Sequence, residues 1–381
     1  MQLIATCAFG LESVVNNELK KLGYQIIKTE NGKTTFEGDF LAIARCNLWL
    51  RSADRVLIRV GQFEARSFEQ LFEQTRSLNW EDFLPEDACF PVDGKSVRSQ
   101  LFSVSDCQAI VKKAIVEKMK SKYPIKWFQE TGALYRIQVS LLNDMATLTI
   151  DTSGAGLHKR GYRQLSAEAP LKETLAAALV SISRWKPDRP FIDPFCGSGT
   201  LPIEAALIGR NIAPGLQRDF IAETWPDYPK NIWHSAREEA HNLIISNQPL
   251  GIFGFDIDGS VLNMARHHAK LAGLGNSIYF QQQEFNKLRS KYKYGYLVTN
   301  PPYGERLGEQ DEINALYAGM PEVFARLDTW SFYILSAFPH VEKIIGKPAN
   351  RRRKLYNGRL LCQYYQYFGP KPEVLSGPFS I

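Results

Sequence analysis

Asp193-Pro194-Phe195-Cys196-Gly197-Ser198-Gly199-Thr200 marks the point where the chain changes architecture. The apolar run Pro190–Phe195 reads as a short buried strand, and Thr200–Gly209 as the helix after it. The two glycines allow a tight turn and close approach of a ligand to the backbone, and Thr200 suits a helix cap. Downstream the alternation repeats. Ile252–Asp256, Ser277–Glu284, Tyr296–Asn300 and Ser331–Ala337 read as strands, with helices over Ser260–Ala272 and Ile313–Leu327. A further helical stretch, Ser235–Ser246, lies in a long insertion before the second strand. Such alternation implies an α/β fold with a mostly parallel, Rossmann-like sheet. Asn357-Gly358 adds an antiparallel hairpin at its end.

The glycine turn has three spellings to be tested against. A P-loop is excluded, because the Gly-Lys pairs at Gly32, Gly94 and Gly346 lack the upstream glycine. A dinucleotide fingerprint is disfavoured, because Pro202 stands where the third glycine belongs and the next strand-end acid comes only after the insertion. A turn that opens on an adenosine-bearing ligand remains, since open α/β sheets bind at the carboxyl ends of their strands. Gly254-Phe255-Asp256-Ile257-Asp258 ends the second strand. There Asp256 can accept both ribose hydroxyls, Ile257 adjoins it, and Asp258 caps the next helix. Gln283-Glu284-Phe285 ends the third strand, where Glu284 offers an acceptor for an adenine amino group and Phe285 an aromatic wall. Glu284 as a plain surface residue is the competing reading.

Asn300-Pro301-Pro302-Tyr303-Gly304 ends the fourth strand, beside the glycine turn. An exocyclic amine on a nucleobase is a weak nucleophile because its lone pair is delocalised into the ring. The Asn300 side-chain oxygen and the Pro301 carbonyl can each accept one of its N–H groups and aim the nitrogen at a methyl donor. Pro301 and Pro302 make no ladder bonds and hold the carbonyls in a rigid turn. Tyr303 offers a face for a flipped base. Cys196 as a nucleophile for methylation at carbon is rejected, since that chemistry has no use for the Asn-Pro-Pro-Tyr segment. His267 and His268, adjacent in mid-helix, are spaced wrongly for joint ligation.

The first 65 residues read as a small antiparallel sheet with helices on one side, with an Asn31-Gly32 hairpin. Residues 66–160 form a second unit with helices at Phe68–Leu78 and Ser105–Tyr123, a short strand at Cys89–Val92, and paired strands around Asn143-Asp144. Residues 153–163 read as a flexible junction, and 161–381 as the catalytic unit. Between Pro91 and Arg163 there are twelve Lys and Arg against six Asp and Glu, an excess equal to the +6 of the whole chain. That concentration suits phosphate contacts, with Lys112, Lys113, Lys120, Lys159, Arg160 and Arg163 as candidate RNA-binding residues. A solvated helix face explains the same charge equally well. Arg351-Arg352-Arg353-Lys354 is likewise open between phosphate contact and solvated loop.

The six cysteines are scattered without C-x-x-C spacing, which predicts reduced thiols in a cytoplasmic protein and no metal site. No apolar run is long enough to span a membrane, and Met1–Ala5 lacks the basic start of a signal peptide.

Asp193–Thr200, Asp256 and Asn300–Gly304 together resemble the Rossmann-like amino-methyltransferases. With Arg160-Gly161-Tyr162-Arg163, Ala169–Thr174 and the two N-terminal units, nearly the whole chain resembles the bacterial 23S rRNA guanine-N2 methyltransferases. The resemblance implies a ferredoxin-like domain, a THUMP RNA-binding domain and an S-adenosylmethionine-dependent catalytic domain. It implies that Asp193, Phe195, Gly197 and Gly199 surround the methionine moiety, Asp256 the ribose, and Asn300 with Tyr303 the amine, with Cys196, Thr200 and Asn300 also at the cofactor. It also implies that Pro170–Thr174 covers the cofactor. The third-strand acid is usually Asp in this family, and here it is Glu284. Rival readings are a tRNA guanine, adenine N6, or an inactive RNA-binding assembly factor. The particular nucleotide and the oligomeric state are not legible.

Overall fold

The computed structural model describes residues 1–125, 127–165, 171–303 and 310–372. The N-terminal half runs β1 (Gln2–Thr6), α1 (Glu12–Lys21), β2 (Ile26–Glu30), β3 (Lys33–Glu37), α2 (Phe40–Trp49), β4 (Arg55–Glu64), α3 (Phe68–Arg76), β5 (Val92–Val97), α4 (Val104–Lys122), β6 (Ile137–Leu142) and β7 (Met145–Asp151). Local chemistry sets the breaks. Asp39 and Ser67 cap α2 and α3 by accepting backbone N–H groups at 2.9 and 3.2 Å. Asn143 and Asp144 both adopt positive φ, +51° and +62°, as a two-residue hairpin with right-handed strand twist requires.

The two N-terminal units share one sheet, in the order β2-β3-β1-β4-β7-β6-β5. The ten-residue β4 makes this so. It pairs with β1 on one side and, from Leu57 to Glu64, with β7 on the other. The isolated small sheet expected from the first 65 residues is therefore only one side of a larger one. The strand expected at Cys89–Val92 is displaced: Cys89 makes a lone bridge to Leu134, and β5 begins at Val92, parallel to β6.

The second half adds α5 (Glu173–Ser183), β8 (Phe191–Asp193), α6 (Thr200–Gly209), α7 (Lys230–Asn242), β9 (Ile252–Asp256), α8 (Gly259–Leu271), β10 (Ile278–Gln282), β11 (Tyr296–Thr299), α9 (Gln310–Ala318), α10 (Met320–Arg326), β12 (Ser331–Ser336), α11 (Val341–Ile345), β13 (Arg351–Asn357) and β14 (Leu360–Tyr367). The sheet order is β10-β9-β8-β11-β12-β14-β13. Its first five strands are parallel, and the terminal hairpin is antiparallel to β12. The order reverses beside β8, the point at which open α/β sheets bind ligands outside the carboxyl ends of their strands. The helix expected over Ile313–Leu327 is two helices, divided at Gly319.

The junction expected to be flexible is tied down. The Arg55 guanidinium binds the Asp151 carboxylate and the Gly154 carbonyl. Arg218 donates to the carbonyls of Ala155, Gly156 and Lys159 at 2.5, 2.7 and 3.1 Å. Among the described residues no helix is long and apolar enough to cross a membrane.

Candidate active site

The turn after β8 is built around Asp193, 2% exposed. Its Oδ1 accepts the Thr299 hydroxyl at 2.6 Å and the Phe195 N–H at 3.2 Å. Burial pushes this carboxyl up to about 7, against which the Thr299 bond works. Oδ2 takes no hydrogen bond among the described residues. Gly197, at φ +50°, has nothing within 4 Å of where a Cβ would stand, so its backbone lies open to a ligand. Gly199 serves packing: at φ +86°, a Cβ there would lie 3.0 Å from Ala265 Cβ and 3.2 Å from the Phe280 ring.

The second strand closes over this turn. Asp256 Oδ2 accepts the Gly197 N–H at 2.9 Å, and Oδ1 accepts the Asp258 N–H at 3.0 Å. Asp258 caps α8, accepting the Ser260 N–H at 2.8 Å, which leaves Asp256 to face the cleft. Ile257 next to it is 69% exposed, an unusual state for an aliphatic side chain and one that a flat apolar ring would cover. The set fits an adenosine-bearing cofactor. It offers an open glycine backbone, a buried carboxyl with an unused oxygen, a strand-end carboxylate and a bare isoleucine.

Several expected roles need correction. Thr200 does not cap α6. Gly199 occupies the cap position, and the Thr200 hydroxyl instead accepts from Arg163 at 2.8 Å. Phe285 is buried against Phe195, ring centroids 5.0 Å apart, so it backs the half-buried Phe195 and does not itself line the cleft. Glu284 is exposed and paired with Lys287 at 2.9 Å, so an adenine contact would compete with that pair. Cys196 is buried and its thiol is pushed well above the usual range, which removes it as a nucleophile.

The basic candidates divide in the same way. Arg160 is 3% exposed and donates to the Leu157 and Arg51 carbonyls, with Glu204 at 3.5 Å, so it is internal and not an RNA contact. Arg163 is turned inward onto Thr200, the Leu171 carbonyl and Glu173. Its guanidinium joins the cofactor turn to the start of α5, where Leu171, Glu173 and Thr174 are buried. Ala169 and Pro170 lie outside the described residues. Lys112 is held by Glu130 at 2.6 Å and by the Phe90 ring, and Lys120 pairs with Glu117 at 2.8 Å. Lys113 and Lys159 are exposed and form no ion pair among the described residues.

At the end of β11, Asn300 and Tyr303 meet: the tyrosine hydroxyl donates to Asn300 Oδ1 at 2.9 Å. That hydroxyl in turn accepts from Asn357 Nδ2 at 3.0 Å. Pro301 is buried and Pro302 exposed, while Gly304 lies outside the described residues. Asn357, at the tip of the terminal hairpin, was read from the sequence only as a turn residue, with no role at the site. Nor had Thr299, whose partner Asp193 is 106 positions away. Only pairing of β11 with β8 brings them together.

A Rossmann-like sheet with a glycine turn, a second-strand acid and Asn-Pro-Pro-Tyr at the fourth strand defines the methyltransferase class. Comparison with known proteins agrees. The family model of the RMKL-like methyltransferase domain matches residues 160–366, and the chain belongs to that family. An RlmL ferredoxin-like domain matches residues 2–57 and a THUMP domain 65–151. YpsC of Bacillus subtilis, a candidate RNA methyltransferase by its own description, is 52% identical over 96% of this chain and 95% of its own. The ribosomal RNA large subunit methyltransferase K/L of Syntrophotalea carbinolica is 34% identical over 96% of this chain and 53% of its own. Among solved structures, SMU.472, a methyltransferase candidate complexed with SAH, is 44% identical at a TM-score of 0.93, covering 98% and 99% of the two chains. A Listeria monocytogenes protein described as a predicted N6-adenine-specific DNA methylase is 55% identical at 0.93, covering 97% and 96%.

Proposed function

We propose that this chain is a cytoplasmic, S-adenosylmethionine-dependent RNA methyltransferase acting on the exocyclic N2 of a guanine in 23S rRNA. The observation that carries the amine is the Asn300–Tyr303 pair beside the Gly197 turn. When bound, S-adenosylmethionine supplies an electrophilic methyl group. Gly197, Asp193 and Asp256 would hold it, with Ile257 against the adenine. The Asn300 oxygen has two acceptor sites, so the Tyr303 bond leaves one for a substrate N–H. The Pro301 carbonyl takes the other N–H, and the Tyr303 ring offers a stacking face. The amine loses its proton only after alkylation has made the nitrogen cationic and acidic. Two neutral oxygens therefore suffice to orient it.

The RNA part of the reading is supported by the matched THUMP segment and by the descriptions of the relatives. It is also supported by Phe102 and Trp127, 82% and 80% exposed, which suit stacking on unpaired bases. The description of the Listeria protein favours a second reading, adenine N6 in DNA. Nucleoside analysis of RNA and DNA from a strain lacking the gene decides between them. Loss of one N2-methylguanosine from 23S rRNA is expected. Loss of N6-methyladenine instead, or of no modified nucleoside, would overturn the guanine reading.

A further inference from the structure

On the far side of the catalytic sheet from Asn300 lies a cleft of about 1200 Å³, between α1 and the amino-terminal edge of the strands. Its rim carries eight Lys and Arg side chains against a single carboxylate, Glu18. Glu18 is turned inward, accepting the Arg51 and Ser52 N–H groups and the Ser52 hydroxyl, and eight cations outnumber it. Lys20, Lys21, Arg184, Arg351 and Lys371 form no ion pair among the described residues. Arg353 donates to Ser13 at 2.5 Å and so joins the hairpin to α1 across the cleft.

The floor is aromatic. Tyr296 and Tyr333 stack with centroids 6.0 Å apart, Tyr333 lies 6.4 Å from Phe368, and Phe368 is 49% exposed. Tyr294 lines the same wall. A cationic groove with aromatic faces is the arrangement that tracks a nucleic-acid backbone while its bases stack. β13 connects this cleft to the catalytic end: Arg351–Arg353 stand at one end of the strand and Asn357, bonded to Tyr303, at the other. Seven residues of strand span about 20 Å.

We propose that this cleft is a second RNA-docking groove, which holds a single-stranded segment of the same RNA whose base enters the catalytic cleft. It rests on the reading of the substrate as RNA. Six of the twelve Lys and Arg of residues 91–163 stand in ion pairs, against two of the eight at the cleft, Arg189 and Arg352, among the described residues.

The test is binding of fluorescein-labelled dodecauridylate to the full chain by anisotropy, over a range of salt. The triple variant Lys20→Glu, Lys21→Glu, Arg351→Glu should bind at least about tenfold more weakly, with a salt slope lower by about 2, as three lost phosphate contacts require. Phe368→Ala should weaken binding about tenfold with the slope unchanged, the mark of a lost stacking face. Photocrosslinks should fall on Tyr294, Tyr296 or Phe368. Affinity for S-adenosylmethionine should stay the same in both variants. Wild-type affinity and slope in the triple variant, or crosslinks confined to residues 66–160, would overturn the groove while leaving the RNA reading intact. A wild-type protein that binds S-adenosylmethionine but neither dodecauridylate nor 23S rRNA would overturn the RNA reading itself.

Discussion

The Tyr303 hydroxyl bridges two asparagines, donating to Asn300 Oδ1 at 2.9 Å and accepting from Asn357 Nδ2 at 3.0 Å. Asn357 Nδ2 can only donate, so in this chain the hydroxyl accepts on one side and gives its proton to Asn300 on the other. The tyrosine bond thereby holds the Asn300 side-chain oxygen, the atom that would accept from an amine donor.

Asn300→Ala should therefore lower methyl transfer by about 10²–10³-fold, the range seen when a single preorganised polar contact to the reacting group is lost. S-adenosylmethionine affinity, measured by calorimetry, should change little. Equal loss of both would show that Asn300 acts on the fold of the cleft and not on the amine.

Tyr303→Phe keeps the stacking face but removes the bond to Asn300, and Asn357→Ala removes the N–H that donates to Tyr303. Each should lower kcat with little change in KM for RNA. The double variant should lose no more than the worse single variant, because both act through one bond chain. Additive losses in single-turnover assays would mean that the two residues act separately.

The catalytic half was legible because its chemistry is local. The glycine turn, Asp256 and Asn300–Tyr303 each announce themselves within a few residues, and β9 and α6 have the bounds expected of them because turn residues delimit both. What was missed depends on pairing across the chain. Asn357 reaches Tyr303 only through the terminal hairpin, and β4 joins two units only because it is long enough to pair on both edges. Helix α5 escaped because its stretch, Glu-Thr-Leu-Ala-Ala-Ala-Leu-Val-Ser-Ile-Ser, is buried on nearly every side and shows no amphipathic stripe. Charge counting misled at Arg160 and Arg163, since a formal charge does not reveal whether an arginine faces water or a buried glutamate.

Arg160 and Tyr162 converge on Glu204, which is fully buried; the tyrosine hydroxyl donates at 3.1 Å. Removing Arg160 takes away the guanidinium nearest this carboxylate, together with the bonds to the Leu157 and Arg51 carbonyls, and leaves Arg51 acting on it. Arg160→Ala should destabilise the chain by about 3–5 kcal/mol, as read from urea unfolding. RNA affinity per folded molecule should be unchanged. A stable variant with weakened RNA binding would return Arg160 to the RNA surface.

Asp193 carries the pH dependence of the cofactor turn. Its carboxyl is raised from 3.8 in the unfolded chain to about 7 in the fold, chiefly by burial. At pH below the lower value it is neutral in both states. Between the two values the unfolded chain gives up the proton and the folded chain keeps it, so stability falls as pH rises and levels off above about 7. Asp193→Asn retains an oxygen for the Thr299 and Phe195 bonds and removes this cost. Its Tm should exceed that of the wild type at pH 8 and match it near pH 4. A ligand ammonium beside Oδ2 would favour the ionised carboxyl, so wild-type affinity for S-adenosylmethionine should rise as pH increases through about 7. The variant should bind more weakly, with a flat profile over the same range. A wild-type profile in the variant would remove Asp193 from contact with the cofactor and leave it the role of joining β8 to β11 through Thr299.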